Sequence, residues 1–519
     1  MLRRLSTSAP RWHVAVVGSG PAGWYAADNL LKACPHLRVD IYERLPVPFG
    51  LVRYGVAPDH QTVKNVTKRF AQIAEDPRCR LIGNVSIGMP PSSADGAYLS
   101  LDTLRKNYNA VLLSYGASAD RRLGVPGEEL AGVCGARSFV EWYNGHPAAL
   151  PSQFDLSKVE RVVIIGNGNV ALDCARLLCA TKEELVGSDV AEYAAAELAR
   201  SSVREVVLLA RRGPLQAAFT IKELRELTKR AGCKLTLEVR QGSLSADCSQ
   251  LLTAFEALTH VAEPSISSPN HRRLNHPLPN TSAGADAFSE EVMKAAAQEN
   301  ARKRLVELMK KVADSPTDNA SAKTIRLQFQ RAPKAFLPAV GQPNSLGAVQ
   351  IVQTALEDQA STSQRAHMLE GSEYELPCEL AMRAVGYRST PIEGAPFDDK
   401  RGIVPNSMGR VQGASGLYVA GWLKRGPNGV ILTNVNDANE TALAVLEDRK
   451  AGLLEREVGG GDAVRPLLLD QGKPIIDFEG WLRMDAEEMR RGSLANKARE
   501  KILSTSEMLH IAGCAESSA

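Results

Sequence analysis

No two of the nine cysteines are spaced as CxxC. That lack removes a zinc ribbon, an iron–sulfur ligand set and a thioredoxin-type redox pair, and no other metal-ligating cluster stands out. Cys174 and Cys179 form a CxxxxC, a spacing used by some disulfide reductases. They fall on an expected helix, where five residues turn through about 500°, so they do not share a face. They read as small, partly buried residues, and the scattered cysteines point to a thiol-reducing compartment. No run of eighteen apolar residues is free of charges and helix breakers, so no membrane span is expected. The net charge is only +3, which gives no whole-molecule attraction to nucleic acid or membrane. Acid is missing from the N-terminus until Asp28, while "MLRRLSTSAPRW" carries arginine and serine. Residues 1–11 therefore read as a short mitochondrial presequence.

What is present is an ordinary globular composition, 44% hydrophobic and 23% charged over 519 residues. Cores rarely grow past about 250–300 residues, so several domains are expected. "WHVAVVGSGPAGWYAADNLLKA" (12–33) reads as strand, glycine turn and helix, with "LRVDIYER" (37–44) as the next strand. "YNAVLLSYGA" (108–117) is a further apolar strand. "RVVIIGNGNVALDCARLLC" (161–179) repeats the strand–glycine–helix pattern, followed by the strand "VREVVLLARR" (203–212). "GLYVAGW" (416–422) is a late strand with a glycine end. Strands alternating with helices predict an α/β fold with parallel sheets covered on both faces. The spacing predicts two Rossmann-like dinucleotide-binding domains, the second inserted in the first. The expected limits are 12–118 and 389–519 for the first, the latter part carrying a helical tail with "DAEEMRRG" (485–492), and 119–388 for the second. A Ser/Pro/Asn-rich insert near 243–290 reads as surface loop, and 290–312 as a helix.

Gly18-x-Gly20-x-x-Gly23 has the form of a dinucleotide turn. The first glycine permits the tight turn, the second lets backbone approach a pyrophosphate, and the third lets helix pack on strand. The helix N-terminus offers free N–H groups and about half a positive charge. Twenty residues beyond Gly23, at a strand end, stands Glu43, which can accept from both ribose hydroxyls and repels a 2′-phosphate. The second unit reads Gly166-x-Gly168-x-x-Ala171, and its next strand ends in Arg211 and Arg212 rather than an acid. Guanidinium forks suit a 2′-phosphate. A chain holding both sites is most simply an NADPH-dependent flavoprotein, with FAD at the first site and NADPH/NADP at the second.

With "PFGLVRYGVAPDHQTVKNV", "GNGNVALDCAR", "RRGPLQAAFTIKELREL", "GYRSTPI" and "GLYVAGWLKRGPNGVILTN", the chain resembles, over nearly its whole length, the adrenodoxin-reductase family of ferredoxin–NADP reductases, which have a glutathione-reductase-like fold. The resemblance implies that Ala22, Glu43, Leu51, Val85, Trp422, Gly429, Val430 and Ile431 line the FAD site. It implies that Asn167, Gly168, Asn169 and Val170 hold the NADP pyrophosphate, and that Arg211, Arg212 and Glu223 hold its adenosine half. His60 matches a histidine near the flavin, where it relays a proton or tunes the flavin, or else simply caps the next helix. Asp173 matches an acid linked to the nicotinamide, or is a first-turn helix acid.

The resemblance further implies an acidic [2Fe-2S] ferredoxin as electron acceptor and a basic face to dock it. Arg302, Lys303 and Arg304, with Arg225, are candidates, or are a solvated charged face. The insert departs from the family's more compact pattern. The implied protein is a monomer of the mitochondrial matrix, at most peripheral to the inner membrane, with no nucleic-acid partner. A rival is another NADPH-dependent flavin enzyme, such as a glutamate-synthase small-subunit-like protein. Those carry an N-terminal cysteine cluster, whereas residues 1–78 hold only Cys34. A disulfide reductase would need a redox pair beside the flavin, and a non-catalytic nucleotide-binding scaffold would be colourless.

Overall fold

The Trp12–Val17 strand is buried at every position because both faces of its sheet are covered. Val14 and Val16 enter one core cluster, Ala15 and Val17 the cluster on the opposite face. That is the reason for an unbroken apolar run rather than an alternating one. The same holds for Arg161–Ile165, whose Val162 and Ile164 point one way and Val163 and Ile165 the other.

The computed structural model describes residues 12–91, 93–230, 232–238, 304–312, 323–356 and 365–514. The expected presequence, the polar insert, and most of the expected 290–312 helix lie outside the described residues; 304–312 is helical.

Two parallel sheets organise the chain. In the first, the order is Asn406–Ser407, Arg410–Val411, Leu417–Val419, Ala110–Leu113, Trp12–Val17, Leu37–Glu43, Cys79–Gly83. The five strands from Leu417–Val419 onward pair in parallel, with Val14 opposite Val39 and Val16 opposite Leu112. In the second, the order is Cys233–Glu238, Lys323–Phe329, Glu205–Ala210, Arg161–Ile165, Leu380–Arg383, Val133–Gly135, all parallel. The chain passes between the sheets along two short strands, Ala119–Asp120 and Tyr387–Arg388, which pair antiparallel. An antiparallel arm, Arg331–Ala339 with Gln342–Leu356, packs on the second sheet; its strands carry no strand–glycine–helix signature, and the sequence reading missed them. The expected 416–422 strand is shorter because Gly421 (φ +74) turns the chain into the Trp422–Arg425 helix. The tail helix runs from Phe478 to Leu494, its first turn capped by the Asp477 side chain on Gly480 N–H (2.8 Å).

Buried ions cluster at the seam between the sheets, where Asp189 joins them, and beside it within the first sheet's layer. Arg53 reaches Glu488 with both guanidinium arms, one at 2.9 Å, and both residues are buried. Lys64 donates to Asp189 at 2.7 Å and Lys501 lies 2.9 Å from the same carboxylate. Lys64 belongs to the segment after the first turn, Asp189 to the second sheet's layer, and Lys501 to the tail. Burial opposes the charge on Asp189, but Lys501 and Lys64 outweigh it and hold the carboxyl below its usual range. Two ammonium groups share this carboxylate, so burial drags Lys501 down to about 7 against the pull of Asp189.

Removing the shared carboxylate leaves the buried Lys64 and Lys501 amines without their counter-ion. We expect Asp189→Asn to cost about 3–5 kcal/mol, read as a lowered midpoint of urea unfolding. Lys501→Met, which leaves the Lys64–Asp189 pair intact, should cost clearly less. Equal losses would show that Lys501 carries the seam alone.

Candidate functional site: two glycine turns at the ends of two parallel sheets

Each turn is locked to the strand that ends at its ribose-side residue. Gly18 N–H donates to Tyr42 O (2.8 Å), one residue before Glu43. Gly166 N–H donates to Leu209 O (2.9 Å), two residues before Arg211. Gly18 sits at φ +106, and a Cβ there would lie 2.6 Å from the backbone of Tyr115 on the crossing chain. A Cβ on Gly23 would collide with Gly18 O, which is what brings helix Pro21–Ala33 hard against its strand. Gly20 and Gly168 differ from these: nothing lies within 4 Å of where a Cβ would stand.

The open space lies before helix N-termini that are not otherwise satisfied. Helices Pro21–Ala33 and Asn169–Leu178 have no side-chain cap and no acid in the first turn. Their leading N–H groups and dipoles therefore face the gaps beside Gly20 and Gly168. Both gaps fit a pyrophosphate, and the residues present fit two dinucleotides.

The ribose positions carry opposite charge. Glu43 accepts from Ser19 N–H (3.1 Å), Ser19 O–H (2.6 Å) and Leu45 N–H (3.1 Å), so its carboxylate is fixed across the first turn. At the second turn the carbonyls of Arg211 and Arg212 are tied to the antiparallel arm, accepting from Thr354 O–H (2.7 Å) and Gln330 N–H (3.2 Å). The backbone is thereby held while the Arg211 side chain stays exposed and Arg212 half-buried. Asn169 Oδ1 accepts from Thr220 N–H (2.9 Å), and the Thr220 hydroxyl donates to Glu223. Asn169, Glu223 and the second turn are thus one connected group; Asn167 and Val170 are half-buried on the same turn.

Of the remaining flavin-side candidates, Leu51 and Ala22 lie at the first turn, and the others lie on elements further along the chain. Phe49 N–H donates to Ser19 O (3.1 Å), bringing Gly50 and Leu51 to the turn, with Gly20 Cα 3.4 Å from where a Gly50 Cβ would stand. A Cβ on Gly421 would lie 2.7 Å from that of Ala22, so the late strand's end meets the first helix. Trp422 stacks on Tyr387 (5.5 Å between centroids). Val85 is buried with Val17 and Tyr42. Gly429 and Val430 are exposed, the latter donating its N–H to Thr433 Oγ1 (3.1 Å), and Ile431 packs on the first sheet's core.

His60 occupies the N-cap position of the Gln61–Lys64 turn, but its side chain makes no cap. Its Nε2 lies 2.7 Å from Glu226 on the Ile221–Thr228 helix, across the seam. Arg176 bonds Asp59 and Asp173 and lies 3.7 Å from Glu226. Burial, then Glu223 and Glu226, push the Asp173 carboxyl well above its usual range. Glu226 and Arg176 were missed in the sequence; the available signal was the i, i+3 pair of acids, Glu223 and Glu226, on one helix face. Arg225 and Arg304 are exposed, and Arg302 and Lys303 lie outside the described residues. Among the described residues no helix is long and apolar enough to cross a membrane.

Residues 12–242 match the family described as pyridine nucleotide-disulphide oxidoreductase. Over 513 residues, 98% of this chain and 94% of the relative, it is 41% identical to a mouse protein named NADPH:adrenodoxin oxidoreductase, mitochondrial. This chain belongs to the NADPH:adrenodoxin oxidoreductase family. The Arabidopsis thaliana protein of the same name is 39% identical over 97% of this chain and 96% of its own length. Among solved structures, Mycobacterium tuberculosis FprA in complex with NADPH superposes with a TM-score of 0.80 at 33% identity, covering 96% of this chain and 99% of FprA.

The space at Gly20 makes a sharp test. Gly20→Ala should fold, with an apoprotein melting temperature within a few degrees of wild type, yet lose most bound flavin, read from visible absorbance against protein. Gly18→Ala, which meets backbone, should fail to fold. Full flavin content in Gly20→Ala would show that no phosphate approaches there.

Proposed function

We propose that this chain is an NADPH:ferredoxin oxidoreductase of the adrenodoxin type. FAD, when bound, supplies the conversion between two-electron and one-electron transfer that neither nicotinamide nor an iron–sulfur cluster offers. The observation that carries the reading is the pair of matched turns with opposed ribose chemistry, Glu43 at one and Arg211–Arg212 at the other. The named relatives support it.

The protein's part is positioning and electrostatics. Gly20 and the Pro21–Ala33 helix N-terminus hold the FAD pyrophosphate, and Glu43 takes the adenosine ribose. Ala22, Leu51, Val85, Trp422, Gly429, Val430 and Ile431 wall the flavin. Asn167, Gly168, Asn169 and Val170 hold the NADPH pyrophosphate, and Arg211, Arg212 and Glu223 the adenosine end. His60, oriented by Glu226, and Asp173, oriented by Arg176, are placed to hold protons on the two sides of the seam. The domain limits we assign are 12–118 with 389–519 for FAD and 119–388 for NADPH, divided where Ala119–Asp120 and Tyr387–Arg388 pair.

The electron acceptor is an acidic [2Fe-2S] ferredoxin. Arg225 and Arg304 support this, because Leu224 and Leu227 pack in the same core cluster as Leu305, Val306 and Met309. Both helices therefore cover one face of the second sheet, with Arg225 and Arg304 outward. The compartment we assign is the mitochondrial matrix, with the protein a monomer and at most peripheral to the inner membrane.

Charge-assisted bonds contribute about 1.5–3 kcal/mol each. Replacing Arg211 and Arg212 by alanine should weaken NADPH roughly 10²–10³-fold and leave NADH nearly unchanged, measured as KM for each nucleotide. Equal loss for both would make the pair structural. Arg225→Glu with Arg304→Glu should raise KM for ferredoxin at least tenfold while NADPH-dependent ferricyanide reduction holds. An unchanged ferredoxin KM would move the docking face elsewhere.

A further inference from the structure

The second turn helix ends where the second sheet's edge strand begins. Cys179 is the C-cap of Asn169–Leu178, with its N–H on Ala175 O (3.1 Å). Cys233 opens the strand Cys233–Glu238 and pairs in register with Lys323. The Lys323 ammonium donates to Leu178 O (3.0 Å), which fixes the strand start beside the helix end. Both cysteines pack in one core cluster, Cys179 2% exposed and Cys233 half-buried at its rim. Cys233 and Lys323 stand side by side in register at the strand start, so Cys233 faces the helix end that Cys179 caps, close enough for each thiol to shift the other's ionisation. The pair is 54 residues apart in sequence, which is why no CxxC-type spacing announced it.

The surroundings sort the two sulfurs into roles. The neighbouring Cys179 thiol pushes the Cys233 thiol down; burial opposes, and Lys323 and Arg230 add to the lowering. The same contact and burial push Cys179 up. Arg230 is fixed there by Glu184 (2.6 Å) and Asp59 (3.2 Å). Cys233 is therefore the accessible, more nucleophilic sulfur, and Cys179 the buried partner that still holds its proton.

We propose that Cys179 and Cys233 are a peroxide-sensitive thiol pair that closes to a reversible disulfide. The Cys233 thiolate attacks one oxygen of hydrogen peroxide, the O–O bond breaks, and hydroxide leaves, giving Cys233 sulfenic acid. The Cys179 sulfur then displaces that hydroxyl, which leaves as water with the Cys179 proton, while the hydroxide of the first step takes up the proton that Cys233 lost on ionising. In sum, two thiols and one peroxide give one disulfide and two waters, and two equivalents of an external thiol reverse it. The site is not the flavin-side pair of a disulfide reductase. It lies at the far end of a ten-residue helix, about 15 Å from the turn at Gly168. The bridge would tie the nucleotide-binding helix to the sheet edge. The proposal stands whether or not the chain reduces ferredoxin.

The test uses the full-length holoenzyme. Thiols alkylatable after denaturation should fall by two on treatment with a small excess of hydrogen peroxide and return with dithiothreitol. Peptide mapping without reductant should recover one cross-link, Cys179 to Cys233. Cys179→Ser and Cys233→Ser should each show no cross-link, and Cys174→Ser should behave as wild type. No loss of thiols, a cross-link involving other cysteines, or oxidation that stops at a single sulfur would each overturn the proposal. The wild-type peptide map decides the matter even if a serine variant fails to fold.

Discussion

One carboxylate between two ammonium groups governs the relation of the two sheets. Asp189 meets Lys64 and Lys501 in a buried seam, and Arg53 meets Glu488 beside it. Each of these contacts brings together segments that the chain order keeps apart. Buried charge is costly to leave unpaired, so the arrangement specifies one relative placement of the sheets rather than simply adding stability. Everything functional inherits that placement. His60, from the first part, reaches Glu226, from the second, across that seam, beside Asp59, which pairs with Arg176 and Arg230 of the second part.

Given that placement, selectivity reduces to local chemistry at two strand ends. The turns have the same physical form: a first glycine bonded back to the neighbouring strand, an open second glycine, and an uncapped helix start. The difference lies in what stands beyond. Glu43 is tied across its own turn by Ser19 and Leu45, so its charge cannot swing away from the ribose. Arg211 and Arg212 have fixed carbonyls, and the Arg211 side chain is exposed, so on the proposed reading a phosphate is met without moving the sheet. On the proposed reading, a single fold binds two dinucleotides with opposite preferences by changing the sign of the charge at one strand terminus.

How much of this was legible in the sequence follows from range. Strand, glycine turn and helix are local patterns, and the ribose residue lies at a strand end a fixed distance along, so both turns and their charges could be read directly. His60 was read as a flavin-side residue or a helix cap; the structure gives it the cap position without the cap, because Glu226 offers a stronger partner. That partner lies 166 residues away, beyond any local pattern. The Asp189 seam and the Cys179–Cys233 contact were missed for the same reason, whereas the antiparallel arm is a local hairpin that lacks the strand–glycine–helix signature. Arg302 and Lys303 remain expectations of the family resemblance, whereas Arg225 and Arg304 stand exposed on helices sharing one core.

The central claim is that the two turns bind FAD and NADPH in one electron path to a ferredoxin. An anaerobic titration of flavin absorbance, with NADPH and NADH in separate runs and oxidised [2Fe-2S] ferredoxin added last, tests it most directly. The account predicts near-stoichiometric bleaching by NADPH, far weaker response to NADH, and return of the flavin colour as two equivalents of ferredoxin are reduced. Bleaching by both nucleotides alike, or a bleached flavin that ferredoxin cannot reoxidise, would contradict it.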